Sequence, residues 1–232
     1  MNRVFITGDT HGGSDRGLEK FSSKNFPEGK NLTKDDVVII AGDFGLIWDP
    51  PHNISRQEQY FIKWLSDKNW RNLFVCGNHE NHNRLDNLPI VEMFGAPAGK
   101  VNDSIYHLKR GYVYTINNKK IFTFGGARSI DKMYRMPDVS WWEREEPNYS
   151  EMMRGINTVK EVGSVDYIIA HECPSSIIGE MYSHHTDKYQ LTDYLQEIVN
   201  ITNFKHYYFG HHHQDRKIND KFTCLYRRII EI

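Results

Sequence analysis

Six short runs of apolar, β-branched or aromatic residues recur along the chain, each closed by a small or polar residue: RVFIT before Gly8, DVVIIA before Gly42, NLFVC before Gly77, KIFTF before Gly125, DYIIA before His171 and HYYF before Gly210. Runs of this length and composition read as strands buried on both faces, the kind found inside layered α/β folds. A seventh, FTCLYRRIIEI, is also strand-like. Between several of them the period changes. Ser55-Arg56-Gln57-Glu58 has the form of a capping box, and Tyr60, Phe61, Trp64 and Leu65 behind it recur at helical spacing, which predicts a helix over about 55–68. Leu191, Tyr194, Leu195, Ile198 and Val199 line one face of a second helix, from Thr186 to about Asn200. Strands alternating with helices predict an α/β layered architecture, taken as one domain over 1–232. The stretch 128–163, which contains SWWEREEPNYSEMMRG, interrupts that rhythm and reads as an inserted loop plus a short helix capped near Asn148.

Composition narrows the picture without deciding it. Acidic and basic residues nearly cancel, to a formal charge of −1, which argues against a protein whose main role is coating a phosphate backbone; small phosphorylated substrates stay open. Cys76, Cys173 and Cys224 are odd in number, far apart and embedded in apolar segments, as suits reduced thiols. MNRVFITGD reads as a folded strand and not as a signal peptide, and no apolar run is long enough to cross a bilayer. The expectation is a cytoplasmic protein.

The chemistry-bearing residues stand immediately after the runs. Asp9 and His11 follow the first in GDTHGG, Asp43 the second in AGDFG, and Asn78 and His79 the third in CGNHE. His171 follows the fifth in AHECP, and His211 and His213 the sixth in GHHH. In open α/β sheets, sites collect beyond the carboxyl ends of the strands, so residues this far apart in sequence can converge. Asp9 with His11, and His211 with His213, are two residues apart, which on an extended backbone puts each pair on one face, with His212 turned away as a spacer. Glycines 8, 42, 77 and 210 sit where the chain must turn sharply or allow close approach. Carboxylate, imidazole and one carboxamide suit a borderline divalent metal, and seven such ligands exceed one tetrahedral site.

GDTHGG, GDFG, GNHE, the single His171 and GHHH, in this order from Asp9 to His213, resemble the signature of the calcineurin-like metallophosphoesterase superfamily. The resemblance implies a two-sheet β-sandwich flanked by helices, an αββα arrangement. It implies that Asp9, His11, Asp43 and His213 hold one divalent ion and that Asp43, Asn78, His171 and His211 hold a second, Asp43 bridging them. His79 would be the catalytic histidine beside the metals. Manganese is favoured, with iron, zinc or nickel compatible with the same donors. Such a pair can lower the pKa of a bridging water and orient it for in-line attack at phosphorus while His79 assists the leaving oxygen. The substrate expected is a small molecule or nucleotide, as phosphodiester or monoester, with no extended nucleic-acid surface and no membrane. The protein serine/threonine phosphatases of the superfamily carry GDxVDRG. Here Gly42-Asp43-Phe44-Gly45-Leu46-Ile47 stands in its place, which weakens that assignment and leaves His79 without its usual orienting aspartate. The other alternative, a silent scaffold of the same fold, would be expected to have lost ligands, and none is missing.

Outside the signature, His52, His82, His107, His184, His185, His206 and His212 read as structural or surface residues, His184 and His185 nearest to a site edge. Cys173 reads as a small core residue. Arg128 follows the fourth strand on the ligand side and suits bidentate recognition of phosphate; a salt bridge to the acidic stretch 141–146 is the competing role. Trp141 and Trp142 are packing residues or, in the minority reading, an aromatic lid.

Overall fold

The computed structural model describes residues 2–14, 16–182 and 189–232. Its strands are β1 (Val4–Thr7), β2 (Val37–Ile40), β3 (Arg71–Phe74), β4 (Ile90–Met93), β5 (Ala96–Asn102), β6 (Ile105–Leu108), β7 (Tyr112–Ile116), β8 (Lys119–Phe124), β9 (Ser164–Ala170), β10 (Asn203–Phe209), β11 (Arg216–Lys217), β12 (Phe222–Cys224) and β13 (Ile230–Glu231). The α-helices are α1 (Arg56–Ser66), α2 (His82–Asp86), α3 (Tyr149–Val162), α4 (Ser175–Met181) and α5 (Gln190–Ile201). One sheet runs β13-β1-β2-β3-β6-β5-β4 and the other β11-β12-β10-β9-β8-β7.

All six short apolar runs form strands, and none of them lies at a sheet edge. β1, β2 and β3 pair in parallel in the first sheet, and β8, β9 and β10 in parallel in the second. Alternation within β1 shows why two sheets must stack. Val4 and Ile6 join Ile39, Leu73, Tyr114, Ile121 and Ile169 in a core between the sheets, whereas Phe5 points outward to Leu18, Phe21, Leu65 and Trp70 beneath α1. On the far side, Phe122, Phe124 and Ile168 pack against Ile156, Val159, Leu195 and Ile198 of α3 and α5. The layers are therefore helix, sheet, sheet, helix, the αββα order that the resemblance implied.

The structure corrects three local expectations. FTCLYRRIIEI is not one strand: it breaks into β12 and β13, which belong to different sheets. The two pairings made this way, β12 with β10 and β13 with β1, tie the sheets together at one end. The capping box at Ser55 is half formed. Ser55 Oγ accepts from Glu58 N at 3.1 Å, but the Glu58 carboxylate turns away to accept from Trp48 N (3.0 Å) and Asp49 N (2.9 Å) and to pair with Arg84 (2.6 Å). The helix after Asn148 is a full 14 residues, with both halves of its box made between Asn148 and Glu151. The start of the last helix at Thr186, and His184 and His185, lie outside the described residues.

Candidate metal centre

The parallel strands deliver their carboxyl ends to one edge of the sandwich, where the loops after β1, β2, β3, β9 and β10 meet. Ligand atoms of Asp9, His11, Asp43 and His213 lie within 4.8 Å of one another, and so do those of Asp43, His171 and His211. Asp43 belongs to both groups. Its Oδ2 is 3.0 Å from His11 Nε2 and its Oδ1 is 3.3 Å from His171 Nε2, while Oδ1 also accepts from the backbone N–H of Asn78 and of His79, each at 2.9 Å. Asn78 completes the second group with a carboxamide oxygen 3.3 Å from His171 Nε2.

The residues converge by a different local route from the one expected. His11, His211 and His213 have φ of 45°, 63° and 51°, in the left-handed region, so the two-residue spacing works through tight turns and not through strand alternation. Two glycines show how closely the loops pack. A Cβ on Gly42, at φ 92°, would sit 2.1 Å from His171 Nδ1, and one on Gly77 would sit 2.1 Å from Asp43 Oδ1.

Electrostatics and hydrogen bonding fit a cation here. Asp9 and Asp43 are both buried, and among the described residues Asp9 Oδ2 accepts no hydrogen bond, although His213 Nε2 stands 3.3 Å away. A buried carboxylate oxygen with no donor is costly unless a positive charge satisfies it. Burial raises the Asp9 pKa against the pull of His171. At Asp43 burial is outweighed by His171 and His11, which hold it well below its ordinary value. Burial also opposes protonation of His171, but Asp43 and Asp9 together push it up to about 10. His171 Nδ1 lies 2.8 Å from the carbonyl of Ala41, so donation there presents Nε2 to the cluster. His211, dominated by burial, is pushed down to about 4 and stays a neutral donor.

His79 stands beside these groups and not in them. Its ring meets His11 edge to face at 5.0 Å and stacks on Trp48 at 6.1 Å, and among the described residues no carboxylate hydrogen-bonds the ring nitrogens. Burial lowers its pKa despite Asp43. Trp48 in turn packs against the buried Trp142, which identifies that tryptophan as packing.

Arg128 reaches the same cavity, of about 910 Å³, that Asn78, His79 and His211 line. The competing ion pair is formed: Nε and Nη2 grip the two oxygens of Glu146 at 3.1 and 3.2 Å, with the guanidinium 4.2 Å over the Tyr189 ring. His212 belongs to neither Asp43 group, as expected of a spacer, but it is not turned out of the site altogether. It lines the cavity, and its Nε2 is 2.9 Å from Glu172 Oε1. Cys173 is a buried core residue as read, with Sγ 3.6 Å from His212 Nε2. Sequence reasoning missed Glu172, Glu80, Ser129 and Glu145. Glu80 is buried and spans two ligand loops, accepting from Gly77 N at 2.6 Å and Gly45 N at 3.3 Å, and burial with Asp43 nearby raises it to about 7. Only its place in GNHE, one residue past His79, could have drawn attention to it.

The calcineurin-like phosphoesterase model matches residues 2–215, from the first strand past the last histidine of the cluster. The chain belongs to that family. Among curated proteins it is 27% identical to lariat debranching enzyme A of Xenopus laevis over 210 residues, which is 82% of this chain and 35% of that protein. It is 26% identical to the lariat debranching enzyme of Danio rerio over 196 residues, 75% of this chain and 32% of that protein. The chain thus spans about a third of the length of these relatives. Calcineurin-like phosphoesterases use divalent metals, and the family match supports a hydrolase acting on phosphate-ester bonds. Among the described residues, no helix is long and apolar enough to cross a membrane.

Proposed function

We propose that this protein hydrolyses a small or nucleotide-like phosphodiester with the help of two divalent cations, manganese being the favoured ion. The observation that carries the reading is the membership of Asp43 in both ligand groups, which is what a shared, bridging carboxylate requires. Asp9, His11, Asp43 and His213 would hold one cation, and Asp43, Asn78, His171 and His211 the other. Cations held there would supply a water acidic enough to ionise near neutral pH and positive charge to offset the negative charge of the phosphoryl group. The remaining steps fall to the chain. His79, fixed between Trp48 and His11, protonates the departing oxygen; the negative charge of an arriving phosphoester offsets the burial that otherwise favours its neutral form. Arg128, held by Glu146 through Nε and Nη2, would meet phosphate through Nη1. The diester preference leans on the likeness to debranching enzymes, whose names place them on lariats. Three buried cysteines without disulfides are consistent with a reducing, cytoplasmic setting.

The test compares bis-p-nitrophenyl phosphate with p-nitrophenyl phosphate in the presence of manganese. The diester is expected to turn over faster, and Asp43→Ala and His171→Ala to abolish both reactions. Faster monoester turnover would overturn the diester assignment alone. Parent-like turnover by either variant would overturn the metal-dependent mechanism, and no turnover of either ester by the parent would point to a silent scaffold.

A further inference from the structure

Among the donors proposed to hold the second cation, Asn78 is the one whose two ends differ chemically. Its carboxamide can present either an oxygen, which binds a cation, or an NH2 group, which repels one, and the two are nearly isosteric. Something must select the oxygen. Asn78 Nδ2 lies 3.2 Å from Ser129 Oγ, which in turn lies 2.7 Å from Glu145 Oε2, and the Ser129 backbone N–H donates to Glu145 Oε1 at 2.7 Å. All three side chains are buried, Glu145 to 1% exposure. Burial raises the Glu145 pKa, against the backbone and hydroxyl hydrogen bonds from Ser129 that favour its charged form; as a carboxylate it only accepts, so the Ser129 hydroxyl spends its hydrogen on Glu145 and offers a lone pair to Asn78. That lone pair fixes the amide nitrogen toward Ser129 and the oxygen toward His171 Nε2, 3.3 Å away.

From this geometry we infer that Ser129 and Glu145 are positioning residues, a polarised relay that holds the carboxamide oxygen of Asn78 toward the second cation; the inference rests on Asn78 being a ligand as proposed above. The relay is itself anchored. The Arg110 guanidinium, 3% exposed, donates through Nη2 to the carbonyls of Arg144 (2.9 Å) and Glu145 (3.0 Å) and through Nε to that of Gly125 (2.9 Å), and pairs with Glu151 of α3 at 3.0 Å. The segment 128–163 thereby acquires a role, since it carries both relay residues and presses them onto the loop after β3.

Changing Glu145 to glutamine reverses the polarity. A glutamine can donate its NH2 to Ser129 Oγ, which frees the hydroxyl hydrogen to bond Asn78 Oδ1 and turns the amide nitrogen toward the cation site. The experiment is titration calorimetry of the metal-free full chain with manganese, on the parent, Glu145→Gln, Ser129→Ala, Asn78→Asp and the Asn78→Asp doubles. The parent is expected to take up two ions, and Glu145→Gln and Ser129→Ala to weaken one of them by about tenfold or more while sparing the other. In the Asn78→Asp background both ends of residue 78 are oxygen, so orientation no longer matters and neither change should weaken the second ion further. Parent-like affinity in both single variants would overturn the inference. So would a loss that is undiminished in the Asn78→Asp background, which would mark a structural role only. Should Glu145→Gln fail to fold by thermal melt, Ser129→Ala, the smaller change, completes the same cycle. A parent that binds fewer than two ions would refute the two-cation reading itself, an outcome visible before any variant is compared.

Discussion

His107, in β6, is buried with its ring stacked on Phe74 at 5.1 Å, and neither ring nitrogen makes a hydrogen bond among the described residues. Burial, with Lys109 and Arg110 adding to it, holds its pKa well below 6.5, and His82 is pushed down to about 3 for the same main reason. Below about pH 6.5 only the unfolded chain then takes up these protons. Stability is full above that pH and falls by about 1.4 kcal/mol per pH unit for each such histidine as the medium is acidified. His107→Phe, which keeps the stack, is expected to flatten the metal-free protein's slope by that amount as the pH falls below about 6, as read by urea unfolding; an unchanged slope would refute it. At His79 the expected signature is chemical. His79→Asn should lower kcat about 10²–10⁴-fold on an alkyl diester, whose leaving oxygen needs a proton, and far less on a nitrophenyl diester, which needs none. Both histidines could be picked out in the sequence, but only His79 could be assigned work. It stands in GNHE directly after an apolar run, whereas the burial of His107 depends on a strand pairing that no local pattern announces.

Glu58 shows how an element is fixed by more than its own residues. The cap of α1 is Ser55, and Ser55→Ala should cost about 1 kcal/mol in chemical denaturation. Glu58→Ala should cost more, about 3 kcal/mol, because it removes the carboxylate that pairs with the nearly buried Arg84, leaving that guanidinium only the Asp49 carbonyl, and leaves Trp48 N and Asp49 N without an acceptor. It should also reduce activity, since Trp48 is the wall on which His79 stacks. Equal losses for the two variants would show that the carboxylate serves the helix alone. Helices whose signals are contiguous were legible: the cap near Asn148 and the apolar stripe of α5 appear where the spacing put them. The strands from β4 to β7 were not. Ala96 to Asn102 reads APAGKVN, which contains three of the poorer strand formers, and β4 is largely exposed. Their pairing is set by cross-strand neighbours, Val91 with Ala98 and Gly99 with His107, that are invisible from either strand alone.

At the scale of the whole molecule, the cluster ties both sheets together through charge. Loops of the first sheet supply Asp9, His11, Asp43 and Asn78, and loops of the second supply His171, His211 and His213, so a cation bound among them should brace the sandwich as well as serve chemistry. With manganese at a hundredfold excess over Kd, each site should add about 2.7 kcal/mol. Thermal melts with manganese against chelator are expected to show an increase of several degrees, lost in Asp43→Ala; an equal rise in that variant would contradict the shared ligand. The order of apolar runs and the identity of the residue after each were enough to determine six of the inner strands, the side on which the site forms and its donor types, because those depend on contiguous pattern and on side-chain chemistry. What folding alone decided is directional. Left-handed turns at His11, His211 and His213 aim the donors, and Glu145 and Ser129 reach Asn78 across more than fifty positions of chain. Hydrogen bonds act over about 3 Å, and only packing brings remote groups within that reach.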